Sequence, residues 1–118
     1  MSTETKINDI LDAISQEIEN RESLAAQAMK DLEKMSLTSE EYKEANIGFG
    51  TDSFIAAYLR SIKSKIEEFG ELKKIESYIR FHCHYQLTKG GLQDQTNFSV
   101  GQAILVGILE SYINRFFN

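Results

Sequence analysis

The chain has no proline, one cysteine and two histidines in 118 residues. Proline breaks helix interiors and punctuates loops, so its absence suits a few long helices joined by glycine or polar turns. A single thiol, Cys83, excludes an intramolecular disulfide and gives no sign of a secreted, disulfide-built domain. Long hydrophobic runs are missing too. The first 36 residues are amphipathic and acidic, without the apolar stretch and small-residue cleavage site of a signal peptide. The most apolar segment, Phe98 to Phe117, is interrupted by Ser99, Gln102, Glu110, Ser111, Asn114 and Arg115, whereas a bilayer span needs about 20 mostly apolar residues. A cytoplasmic chain without a membrane segment is expected. No internal repeat is visible, and the one strand-like run, Ile104-Leu105-Val106, has flanks that continue at helical spacing.

What is present is a heptad series. Ile7, Leu11, Ile14, Ile18, Arg21, Ala25, Ala28, Leu32 and Met35 follow one another at alternating steps of four and three. A 3.5-residue repeat keeps one seam of a helix facing a partner, so a long coiled-coil-like helix is expected over 3–36. Its one charged seam position is Arg21, which needs a carboxylate if buried. Asp12, Glu17 and Glu22 are available in cis or from a second copy. Charge is unevenly placed within the total of −5: residues 1–44 carry 11 acidic and 5 basic side chains, residues 45–118 carry 7 and 8. An acidic first third argues against docking on nucleic acid. It suits a basic partner surface or a solvated helix face.

After the long helix, Thr38 and Glu41 have the spacing of a capping box, and Leu37 and Tyr42 that of a hydrophobic staple. The helix they start is expected to be short, because Asn46-Ile47-Gly48-Phe49-Gly50 reads as a connection and Thr51 or Asp52 as the next N-cap. Phe54, Ile55, Tyr58, Leu59, Ile62, Ile66 and Phe69 then form a helical stripe. The stripe resumes beyond Gly70 as Leu72, Ile75, Ile79 and His82 with its phase slipped, which predicts a break or sharp kink at Gly70. Gly90-Gly91 closes that helix, residues 92–97 read as polar loop, and Ser99 with Gln102 makes a second capping box, with Phe98 and Ala103 as its staple. In the last helix, Val100, Ile104, Leu105, Val106, Ile108, Leu109, Tyr112, Ile113, Phe116 and Phe117 cover most of the circumference, the mark of a central helix. The expected fold is all-α, a helical bundle of four or five helices in one domain, 1–118, with the long helix 3–36 beside a compact core 38–118.

Reactive side chains concentrate in Arg80-Phe81-His82-Cys83-His84-Tyr85. Residues two apart on a helix diverge by about 200°, so His82 and His84 do not share a metal ion, and no cofactor is expected. His82 is read as facing the core, Cys83 as a small core filler, and Arg80 with His84 as sharing the wetter face. That Arg–His pair on one helix resembles the pair carried by helical ribonucleases of the HEPN class. Fewer residues intervene here, and Phe81 replaces the polar residue that follows the arginine in that family. The resemblance would imply RNA cleavage by Arg80 and His84. Gly48-Phe49-Gly50 matches no phosphate-binding loop.

The leading functional expectation is a non-catalytic helical interaction protein of the adaptor, chaperone or inhibitor type. Its interface would be Ile7, Leu11, Ile14, Ile18, Arg21, Leu32 and Met35, and its partner itself or a protein with a basic surface. The alternatives are a small-molecule or nucleotide binder using Arg80, His82, His84, Tyr85 and Tyr112, and the RNA-cleaving enzyme.

Overall fold

The computed structural model describes residues 2–91 and 97–118, apart from the side chains of 89–91 and 97–99. Helix α1, Thr3–Leu32, begins on Ser2, whose hydroxyl accepts from the Thr5 N–H at 3.1 Å. Glu4 in its first turn and Lys30 in its last oppose the helix macrodipole. Its buried stripe is Ile10, Ile14, Ile18 and Ala25, with Ile7 and Leu11 half-buried beside it. A 3.6-residue helix drifts against a 3.5-residue repeat, which is why Ile10 takes the innermost place near the N-terminus.

Helix α2, Glu40–Glu68, starts one residue later than the capping-box spacing predicts: Ser39, not Thr38, accepts from the Tyr42 N–H, at 3.0 Å. With Ser39 as the cap, Thr38 occupies the staple position. Leu37 is left out of it and stands 74 % exposed at the turn. The expected break at 46–50 does not occur; α2 runs unbroken through Gly48 and Gly50, with Thr51 and Asp52 inside it. A mid-helix glycine costs about 1 kcal/mol relative to alanine. Here the cap at Ser39, the long pairing with α1 and an ion pair from Asp52 outweigh two of them. No glycine among the described residues has a positive φ, so none is used as a left-handed turn.

At Phe69 the backbone turns extended (φ −86°, ψ 132°), and α3, Leu72–Gly91, begins past Gly70. The phase slip read from the sequence is therefore a true helix boundary. Helix α4, Asn97–Phe116, starts ahead of the predicted cap, so Ser99 lies inside its first turn. Gln102, predicted to reach back to Ser99, is buried and bonds to α3 instead. The loop assigned to 92–97 falls outside the described residues except for Asn97.

The four helices form a bundle, with no strand among the described residues. α1 and α2 make an antiparallel hairpin, α3 and α4 a second, and α4 touches all three other helices. Ile10, Ile14 and Ile18 meet Ile55, Leu59, Ile62 and Ile66 in one core with Ile75, Ile79, Leu105 and Leu109. α1 is thus a full member of the core. α4 keeps one open side, where Val100 is 52 % exposed and Ala103 and Gly107 face out.

Lengths set the outline. α1 and α2 have 30 and 29 residues against 20 each for α3 and α4. The first hairpin therefore outreaches the second by roughly 15 Å, in a molecule measuring 53 × 30 × 21 Å. The core ends at Ile18 and Ile55, and beyond them only Ala25 is buried among the described side chains of the hairpin.

A Cβ added at Gly48 or Gly107 meets no atom within 4 Å, while one at Gly101 would lie 3.0 Å from Cδ2 of Phe54. Gly48→Ala and Gly107→Ala are each expected to stabilise the protein by about 0.5–1 kcal/mol, and Gly101→Ala by less. Thermal unfolding followed by circular dichroism checks the order.

Candidate functional site

Arg21 occupies the point where the core stops. Its Nε donates to Glu17 Oε2 at 3.0 Å, one turn back on α1, and its Nη1 to Asp52 Oδ1 at 2.8 Å, across on α2. Burial works against the guanidinium charge, and the two carboxylates more than offset it, so its pKa is raised. One residue on, Glu22 receives Arg60 through both carboxylate oxygens at 2.6–3.0 Å, on the exposed side of the hairpin. Of the remaining predicted interface residues, Ile14 and Ile18 are inside the chain's own core, and Ile7, Leu11, Leu32 and Met35 are half-buried along the hairpin. Asp52, an N-cap candidate by sequence, lies inside α2 and answers Arg21 instead. The signal for it was the need of an inward cation for a carboxylate on a neighbouring helix.

On the other side of α2, Tyr58 Oη lies 2.6 Å from His82 Nδ1. The imidazole packs edge-on against Tyr58, Tyr78 and Phe81, with ring centroids 4.5–5.4 Å away. Burial lowers its pKa, favouring the neutral ring. Arg80 is exposed, donating to Glu76 at 2.8 Å and to Asn118 at 3.2 Å. His84 is exposed on the same helix, and Tyr85 stacks on Phe81 at 6.1 Å. Tyr112 stands elsewhere. It is buried on α4 facing α1, its hydroxyl without a hydrogen-bond partner among the described residues, and burial followed by the Glu17 charge raises its pKa. Arg80, His82, His84, Tyr85 and Tyr112 are thus divided among three places. Cys83 is buried, with its thiol contacting Val106 O at 3.9 Å, and burial with Glu110 pushes its pKa up, away from the nucleophilic thiolate. Among the described residues no three His, Cys, Asp or Glu side chains stand close enough to hold a metal ion, and no helix is long and apolar enough to cross a membrane.

Among the described residues, and apart from Val100 on α4, the exposed large apolar side chains lie on the first hairpin and on α3. The overhanging hairpin exposes Leu24, Met29, Leu37 and Ile47. On α3, Phe81, at 60 %, and Tyr85 are exposed on one face, and Leu87 is exposed on another. Between the overhang and α4 lies a cleft of about 320 Å³ lined by Asn46, Ile47, Phe49, Gly50, Thr51, Phe54 and Gly101. Neither a family model, nor a curated protein, nor a solved structure matches the chain.

Removing the carboxylate at Asp52 leaves Arg21 half-buried with Glu17 as its one remaining partner. Asp52→Ala is expected to cost about 1–3 kcal/mol, and Glu22→Ala, at the exposed pair, about 0.5 kcal/mol or less, both read from urea unfolding. His82 titrates lower in the folded protein than the ordinary 6.5, so the unfolded chain takes up the proton first. Its contribution to stability is complete above about pH 6.5 and is lost as the pH falls through and below that value. Between pH 7.5 and 5.5 the wild type should lose stability relative to His82→Phe; parallel pH profiles for the two would contradict this.

Proposed function

We propose that the chain is a non-catalytic helical interaction protein of the cytoplasm, acting through the part of the α1–α2 hairpin that overhangs the core. One observation carries this reading: beyond Ile18 and Ile55 the hairpin has little interior of its own, yet displays Leu24, Met29, Leu37 and Ile47. Residues 22–50 add six carboxylates against three lysines. Apolar side chains set among acidic ones suit a partner that is amphipathic and basic, whether another protein or a second copy. Adaptor, chaperone and inhibitor all fit such a surface. Because Ile14 and Ile18 already pack in the chain's own core, the contact falls to the exposed positions of the 7–35 segment, Leu24 and Met29 first.

Both positions are nearly half exposed, so a double Leu24→Asp, Met29→Asp variant should keep its helicity. Sedimentation of the wild type, alone and with a basic amphipathic helical peptide, is expected to show association that the variant weakens about tenfold or more. If the wild type associates with neither itself nor the peptide, the reading fails.

A second reading, a small-molecule binder, is favoured by the cleft between the overhang and α4. Its volume is at the lower end for ligand pockets, and Ile47, Phe49 and Phe54 supply apolar walls with Asn46 and Thr51 as polar groups. A screen of apolar compounds should then raise the melting temperature of the wild type and not of Phe54→Ala.

A further inference from the structure

The two ends of the long axis complement each other. At the α1–α2 turn, Leu37 is the most exposed large apolar side chain described, and Glu33, Glu40, Glu41 and Glu44 flank it with Lys34 and Lys43 between them. At the far end of α2, about 42 Å away, two adjoining depressions share Tyr78. Four cations, Arg60, Lys65, Lys73 and Lys74, line them with one carboxylate, Glu68; Arg60 is already held by Glu22, which leaves the three lysines to meet an acidic partner. Phe69 and Tyr78, both half-buried and packed edge-to-face at 5.6 Å, supply apolar surface between the lysines.

The cations can be recruited at small cost. Lys65 reaches Glu68 at 3.2 Å and Lys74 reaches Glu71 at 3.9 Å, both on exposed surface, and exposed pairs of this kind contribute little. Lys65 also sits 5.8 Å from the Phe69 ring centre. An incoming apolar side chain ringed by carboxylates would bury its hydrocarbon against Phe69 and Tyr78 and place its charges beside Lys65, Lys73 and Lys74.

Within one molecule the acidic turn and this depression are held apart by the length of α2. Pairing two turns, or two depressions, would bring like charges together. We infer that the Leu37 turn of one copy docks in the Tyr78 depression of the next, a head-to-tail contact between identical chains. It rests on the interaction reading above and identifies the basic partner surface as one this chain itself carries. Such a contact is heterologous, so it propagates unless the rotation between copies closes a ring.

Two variants test it: Leu37→Asp at the turn, and the double Lys73→Glu, Lys74→Glu at the depression. All three positions are exposed, and far-ultraviolet circular dichroism with thermal melts verifies that each variant folds. By light scattering over a concentration series, the wild type is expected to grow in mass, and to revert toward monomer in high salt as the charges are screened. Each variant alone should associate about tenfold more weakly or not at all. Mixed in equal amounts they should form a dimer and nothing larger, because each keeps the one good end the other lacks. A monomeric wild type overturns the inference. So does association that both variants leave unchanged, or a mixture that remains monomeric while the wild type associates. In each of those cases, binding of the basic peptide to the Leu24 and Met29 surface would leave the interaction reading standing.

Discussion

The joint at Arg21 sets the terms for the rest of the molecule. A guanidinium in the middle of an apolar seam is tolerated only with its charge answered, and two carboxylates do so, one from its own helix and one from α2. That pairing fixes the register of the longest contact in the fold, because sliding α1 along α2 by one turn would leave Asp52 without its cation and Arg21 with Glu17 alone in a half-buried place. It also marks a boundary. On one side lie isoleucines packed by all four helices, and on the other, among the described residues, α1 and α2 pack chiefly on each other. The overhang follows from where that boundary falls.

The second hairpin is aligned by polar contacts as well. Gln102 Nε2 donates to Gln86 Oε1 at 3.0 Å, both side chains buried, which allows one register of α4 on α3. Tyr58 and His82 join α3 to α2 on the opposite flank. Hydrophobic burial is non-directional. The isoleucine core alone would accept several registers, and these few directional contacts select among them. The same preference shapes the surface: once the inner faces are used, the aromatic side chains of α3 and the apolar tip of the α1–α2 turn remain outside.

Much of the fold was legible in advance. The long first helix, the break at Gly70, the helical stripe from Phe54 to Phe69 and the all-α architecture follow from periodicity, which records which face of a segment avoids water. The errors lie where a local rule competed with packing. Gly48-Phe49-Gly50 looked like a connection because glycine weakens a helix, yet the helix passes through it, held by a cap on one side and the Arg21–Asp52 pair on the other. Leu37 looked like a staple, and a shift of the cap by a single residue put it in solvent. Gln102 looked like a capping partner and became a core hydrogen bond. The glycine stretch and Gln102 depend on what another helix brings, which no local window contains, whereas Leu37 turns on a local choice between adjacent caps. The candidate sites were less legible still: Tyr112 points at α1 and His82 at α2, so residues grouped on paper by chemistry are separated by orientation.

By itself, then, the order of residues determined the helices, their inward faces and the segregation of charge between the first third and the remainder, since these depend on spacing and composition along one strand of chain. Only the tertiary structure decided what the seam pairs with. The partner is α2, a continuous 29-residue helix whose Asp52 answers Arg21. That choice placed Ile14 and Ile18 in the interior and left the acidic turn and the lysine-lined depression at opposite ends of one rod. Side chains become neighbours or strangers through packing, and packing is a property of all four helices together.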